Sequence, residues 1–356
     1  MHIQAAQLIA VGEAIVRAAG GSADEARQVA HHLVDANLTG HDSHGICMLP
    51  SYVAGIKAGK LTLGAELETV RDGGLFLLFD GNRGFGQVMG RAAMERGIAR
   101  ARELGAAFVS LRNSYHIGRI GAWGEMCADA GLASIHFANV RARAIVAPFG
   151  GSDARFITNP VCITLPKTET TPRTILDMAT SNIAFGKVRV AYHKGAEVPP
   201  NSLIDHAGNP TNDPAVMFDE PAGALLPMGL HKGYALAVMT ELLGGGLTGA
   251  RTWGSVEPEE DLILNGMFTI IYDPEAFGTG DELRQDIDNF TGWVKQSPPA
   301  PGVEEVMVPG DPERKNRRQR LRDGVPMDEG NWGDLMATAA ELGLDDAAIK
   351  EILDGA

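Results

Sequence analysis

Cysteine is scarce in this chain of 356 residues: only Cys47, Cys127 and Cys162 occur, and none stands two residues from another. An odd, sparse set excludes a disulfide framework and gives no zinc-ligand spacing, so a reducing compartment and no bound metal are expected. Long apolar runs are missing as well. No stretch reaches the ~18 residues that a membrane span requires. The first twenty residues carry no basic leader and read as an amphipathic helix, which places the protein in the cytoplasm. Positive charge is in short supply, with 31 Lys and Arg against 45 Asp and Glu and a net charge of −14. Such a surface repels phosphate backbones and anionic headgroups, so neither nucleic acid nor membrane is expected as a partner. A small anionic substrate stays compatible with this balance, provided its site is locally basic.

What remains is an ordinary globular composition, 44% hydrophobic and 21% charged, long enough for several packed layers. Two helices are expected at 3–19 and 22–39, split by Gly20-Gly21, with Ser22 and Glu25 forming a capping box. From residue 75 short apolar strands alternate with helices, which is an α/β texture. Strands are expected at 75–79, 107–111, 133–138, 160–165, 174–177, 188–191 and 267–272. Helices are expected at 87–104, 120–130, 233–243, 333–342 and 345–353. The segment around 314–322 is basic and soluble, and the acidic loop 256–261 reads as solvated. Residues 1–74 with 295–356 should form a helical layer clasping a core of 75–294.

Several constellations could carry chemistry. Gly84, Gly86 and Gly90 follow a strand and open a helix. Their spacing is G-x-G-x-x-x-G, one residue longer than the dinucleotide fingerprint, and Glu103, at the distance of the ribose ligand, ends a helix instead of a strand. Tight turning and close helix packing explain these glycines better. Asp42-Ser43-His44-Gly45 lies past a helix end. His44 is a candidate proton carrier near neutral pH, with Asp42 or Ser43 to fix its tautomer; the alternative is a plain helix-terminating turn. His41 and His44 lack the third ligand that a metal would need. Asn113 to Gly121 joins a strand end to a helix start. There His116 could move a proton, Arg119 could clamp a carboxylate, and the amides of Gly118 to Ile120 could receive an anion; the alternative is an ordinary βα turn. Lys232, after His231 at another helix start, suits a phosphate or mere solvent.

Together these motifs resemble the malate/L-lactate dehydrogenase superfamily of the second, non-Rossmann type, nearest its hydroxycarboxylate dehydrogenase branch. The matching stretches are GHDSHG (40–45), NSYHIGRIG (113–121), TNP (158–160), LDMATSNIAFGK (176–187), LIDHAGNPTNDP (203–214), HKGYALAVMTELLGGGLTG (231–249) and VPGDPE (308–313). They run in family order along essentially the whole chain. The resemblance implies an α/β fold around a mixed, largely antiparallel sheet, a homodimer, and a 2-hydroxycarboxylate dehydrogenase or 2-oxoacid reductase using NAD or NADP. It implies His44 and His116 as acid/base candidates. It places His44, Gly118, Arg119, Ile120, Ile175, Leu176, Asp177, Met178, Ala179, His231, Gly310, Asp311, Pro312 and Glu313 beside the cofactor. Ser43, Met48, Arg119 and Arg141 are expected near the substrate. Met48 is a departure, because many relatives carry there an arginine that can hold a substrate carboxylate; an apolar residue favours a larger or less charged side group, unless Arg119, Arg141 or Arg143 compensates. Two rival readings are a cyclic 2-imino acid reductase on the same scaffold and a metabolite-binding protein without turnover.

Overall fold

The computed structural model describes residues 1–255 and 262–356, so the acidic loop expected at 256–261 lies outside the described residues. Its centre is a seven-stranded sheet in the order Glu68–Gly73, Phe76–Asp80, Ala106–Ser114, Leu264–Tyr272, Ala133–Arg141, Val161–Leu165, Thr174–Met178. Only Phe76–Asp80 and Ala106–Ser114 run parallel; every other neighbouring pair is antiparallel. The expected mixed, largely antiparallel sheet is therefore present. Alternation along the strands sends Val109, Leu111, Met267 and Ile271 to one face, where the helices Gly86–Leu104 and Gly121–Asp129 cover them with Met89, Ala93, Met94 and Trp123.

The opposite face receives the helix His231–Glu241 and its π-helical continuation Leu242–Leu247. Glycine is what lets this backbone lie directly on the sheet. A Cβ on Gly244 would stand 2.6 Å from the Asn139 amide nitrogen, and one on Gly266 would collide with the Gly244 carbonyl. Gly244 is thus a contact surface as well as part of a helix end.

Both chain ends build a third layer. The helices Ala5–Ala18, Ala23–Leu38, Leu49–Lys57, Glu329–Glu341 and Asp346–Gly355 bury Leu8, Ile15, Leu33, Leu49, Leu335 and Ile349 in one cluster. His2–Ile3 pairs antiparallel with Val325–Pro326, tying the termini together. The expected capping box is formed: Ser22 N donates to Glu25 Oε2 at 2.8 Å and Glu25 N to Ser22 Oγ at 3.2 Å. A separate cluster around Phe156, Val188, Leu203 and Leu225 fills the region beyond residue 145.

One expected strand is wrong. Residues 188–191 lie within the helix Phe185–Lys194. The Val-Arg-Val alternation imitates a strand, but among the helix residues only Val188 is fully buried, and Gly195 at φ 61° closes a helical C-terminus. Elements that the sequence did not mark include the helices Leu49–Lys57 and Gly280–Lys295 and the edge strand Glu68–Gly73. The basic stretch is itself a helix, Asp311–Asp323. Among the described residues, no helix is long and apolar enough to cross a membrane.

Candidate active site

The glycine run 84–90 brings packing, as expected. A Cβ on Gly86 would strike the His116 carbonyl, and one on Gly90 would meet the Trp123 ring at 2.6 Å. The helix it opens is thereby pressed against the loop that carries His116. From the other side Asn265, at a bulge in its strand, holds the same loop, accepting from Ile117 N at 3.0 Å and donating to Asn139 O at 2.8 Å. The loop then turns through Gly118 at φ 71°, where a side chain would collide with His32.

Two of the sequence candidates meet here. The His44 and His116 rings stack with centroids 5.4 Å apart and planes 28° from parallel. Ser43 Oγ lies 2.9 Å from His44 Nδ1. His116 Nδ1 lies 2.6 Å from the Tyr52 hydroxyl, which receives the Gln87 amide at 2.8 Å. Desolvation pushes both imidazoles down, His44 to about 4 with help from His41, and His116 well below its ordinary value with help from His44 and His32. Both rings are therefore neutral near pH 7. Burial pushes the Tyr52 phenol up, so it keeps its proton. Tyr52 and Gln87 had no role in the sequence reading. The signal available was a phenol on the apolar helix Leu49–Lys57 and a polar residue inside the glycine run.

His44 opens onto a cavity of about 580 Å³, lined also by Ser43, Arg119, Ile120, Asp177, Met178, Ala179, Lys187 and Glu313. Ile175 is buried in the core and Leu176 occupies the alternate face of the same strand; neither lines the cavity. Gly310, Asp311 and Pro312 lead into the helix that presents Glu313; Asp311 itself is tied to Lys295 and Arg314, each at 2.7 Å. Cys47 also lines the cavity, but burial pushes its thiol up to about 12, which leaves it unreactive.

Four further expected site residues are engaged elsewhere or lie outside the cavity. Arg119 is only 2% exposed, and its guanidinium is engaged by Glu125 at 3.0 Å, Asp35 at 3.2 Å and Asp177 at 3.4 Å. Burial opposes its charge, but those three carboxylates outweigh it and raise its pKa, so the group braces its own chain and is not free to clamp a substrate. His231 is exposed, with its ring 6.0 Å from Phe149, outside the cavity. Met48 packs against the helical layer, and Arg141 donates to the Ala250 carbonyl at 3.4 Å; neither lines the cavity. Arg143 faces Glu220 at 3.8 Å on the surface.

A model of the malate/L-lactate dehydrogenase family matches residues 3–336. The chain belongs to that family. It is 46% identical over 340 residues to hydroxycarboxylate dehydrogenase B of Escherichia coli (strain K12), covering 95% of this chain and 93% of that one. Sulfolactate dehydrogenase from Methanocaldococcus jannaschii superposes with a TM-score of 0.87 at 32% identity, covering 99% of each chain. Delta1-piperideine-2-carboxylate reductase from Pseudomonas syringae pvar. tomato superposes at 0.78 with 28% identity, covering 95% of this chain and 100% of that one. As a member of this dehydrogenase family the protein is an oxidoreductase acting on CH–OH, and the family's chemistry calls for a nicotinamide cofactor.

Proposed function

We propose that this family member is an NAD(P)-dependent 2-hydroxycarboxylate dehydrogenase working as a 2-oxoacid reductase, with His116 as the proton carrier. The observation that carries the reading is the His44–His116 stack, with His116 tethered through Nδ1 to Tyr52, at the edge of a cavity large enough for a nucleotide and a small acid. The cavity's donor set fits a dinucleotide. Glu313 Oε2 is buried without a hydrogen-bond partner, an acceptor suited to ribose hydroxyls or a carboxamide, and Asp177 to Ala179 flank it. A nicotinamide bound there supplies hydride exchange with C2 of the substrate. The chain supplies the rest. A neutral His116 accepts the alcohol proton in oxidation, and its protonated form returns a proton to the C2 oxygen in reduction. Half-buried as it is, the ring stays reachable while its far nitrogen is held by a phenol that does not ionise.

Residues 1–74 with 295–356 are taken as the layer that closes the site, and 75–294 as the core that holds cofactor and substrate. A cytoplasmic setting accords with three free thiols. A second reading, cyclic 2-imino acid reduction, is favoured by the likeness to the piperideine carboxylate reductase.

A panel of 2-oxoacids and cyclic 2-imino acids, run with NADH and with NADPH, separates these readings. Oxidation of either nucleotide with 2-oxoacids is expected, and His116→Ala should lower kcat by about 10²–10⁴-fold. Turnover of imino acids alone would favour the second reading. Nucleotide fluorescence quenching without oxidation of any substrate would mean a binding protein. Wild-type kcat in His116→Ala would remove the assigned proton carrier.

A further inference from the structure

A 2-oxoacid brings a carboxylate, and burying it against this acidic protein requires a cation with charge to spare. The cavity walls hold five basic side chains: His41, His44, Arg119, Lys187 and Arg189. His44 is neutral near pH 7, and His41 faces Glu313 at 3.5 Å. Arg119 is committed to three carboxylates. Arg189 donates to the Asn331 side chain at 3.2 Å, on the rim made by the last helices. The Lys187 ammonium alone makes no hydrogen bond or ion pair with any described residue. Three of the cavity's four carboxylates are meanwhile satisfied from elsewhere, Asp177 by Arg119, Asp42 by Arg320, and Asp328 by the Asn331 amides at 2.9 and 2.6 Å, while Glu313 faces His41 and keeps its Oε2 unpartnered. No acid of the site, Glu313 included, is paired with Lys187.

Its place in the chain puts it at the reacting end. Lys187 sits in the first turn of the helix Phe185–Lys194, next to Gly186. At Gly186 the backbone lies so close to Ser43 that an added Cβ would be 3.1 Å from the Ser43 Cβ. Ser43 in turn touches His44, on which His116 stacks. The Asp177–Ala179 and Glu313 walls, assigned above to the nucleotide, come from other elements.

We propose that Lys187 is the substrate-carboxylate clamp of this enzyme and therefore a determinant of its specificity for 2-oxoacids. The proposal rests on the 2-oxoacid reading above. The ammonium neutralises the carboxylate and orients C2 toward His116, doing the work for which Arg119, Arg141 and Met48 are not placed. As a point charge on a flexible stem it selects for an anion and tolerates variation in the rest of the molecule.

Oxamate, an unreactive 2-oxoacid isostere, is the probe. Its affinity is measured by calorimetry on the enzyme saturated with whichever nucleotide it uses, and nucleotide affinity is measured separately. Lys187→Met should weaken oxamate about ten- to a hundredfold and raise KM for 2-oxoacids more than it lowers kcat, with nucleotide affinity unchanged. Lys187→Arg should recover part of the oxamate affinity. Lys194→Met, at the far end of the same helix and outside the cavity, controls for loss of one positive charge and should leave oxamate binding within about twofold. Wild-type oxamate affinity in Lys187→Met, in an enzyme that turns over 2-oxoacids, overturns the clamp and leaves the proposed function standing. A loss of nucleotide affinity in place of oxamate affinity overturns it too, by assigning Lys187 to the cofactor. If the wild-type protein neither binds oxamate nor reduces any 2-oxoacid, the functional reading fails and the clamp fails with it.

Discussion

At the scale of single residues, the tautomer of His116 decides whether it can work. A ring that takes or gives a proton through Nε2 must keep a proton on Nδ1, and Nδ1 must then donate to Tyr52. The phenol consequently needs an acceptor for its own proton. Gln87 is only 1% exposed, lies 2.8 Å from that phenol through Nε2, and leaves its Oε1 buried without a hydrogen-bond partner. Turning the amide end for end offers Oε1 to Tyr52 and completes a chain from His116 through Tyr52 to Gln87. Gln87→Leu should break that chain and lower kcat on the order of tenfold, the loss expected from one hydrogen bond of about 1–1.5 kcal/mol, while KM stays nearly constant. Gln87→Glu, which places an anion near the imidazolium, should raise the pKa of His116. The sign follows directly: reduction, which uses the protonated ring and fades as pH rises, should persist to higher pH, and oxidation should switch on later. Identical pH–rate profiles in wild type and both variants would remove Gln87 from the mechanism. Much at this scale was legible beforehand, because histidines in turns after helix and strand ends advertise themselves. Tyr52 and Gln87 did not, since each sits inside an amphipathic helix pattern and acquires meaning only when the two helices cross.

At the scale of elements, local pattern served well where one face of a segment is buried and failed where it is not. The strands Ala106–Ser114 and Leu264–Tyr272 and the capped helix Ala23–Leu38 carry strong periodicity and were anticipated to within a few residues. The edge strand Glu68–Gly73 is exposed at every position and offers no alternation, so nothing marked it. The helix Phe185–Lys194 was misread because two valines flanking an arginine look like strand. Glycine spacing was informative in another way. Gly244 and Gly246 are neighbours in one π-helical turn, yet only Gly244 lies on the sheet; Gly246 meets just the Thr252 methyl at 3.7 Å. Gly244→Ala should therefore cost about 1–3 kcal/mol through overpacking, with a fall of several degrees in Tm. Gly246→Ala should be neutral or stabilise by up to about 1 kcal/mol, since a helical alanine loses less backbone entropy. Thermal melts of the two variants test the pair, and equal Tm values would contradict the close approach.

At the scale of the whole molecule, one face of the central sheet is left partly bare. Phe108 and Phe268 alternate with the residues that pack under the Gly86–Leu104 helix, so they point the other way, and Phe76, Phe108 and Phe268 stack in a row at 5.0 and 6.5 Å. Phe76 is 58% exposed, and on the helix that shares this face Leu242 and Leu247 are 51% and 60% exposed. Apolar area of this kind on one side of a protein with a net charge of −14 is expected to be covered, and a second copy of the chain supplies a matching surface by twofold symmetry. The homodimer implied by the family resemblance would bury this face. Sedimentation equilibrium at micromolar concentration should then give twice the 37.7 kDa chain mass. Phe76→Asp, which sets a charge at the exposed end of the row, should shift the equilibrium toward monomer by tenfold or more, the equivalent of about 1.4 kcal/mol or above. Because Phe76 lies on the sheet face turned away from the His44 cavity side chains, secondary structure and nucleotide binding by the monomer should persist. A wild-type protein that sediments as a monomer at every concentration would show that this face meets solvent or some other partner.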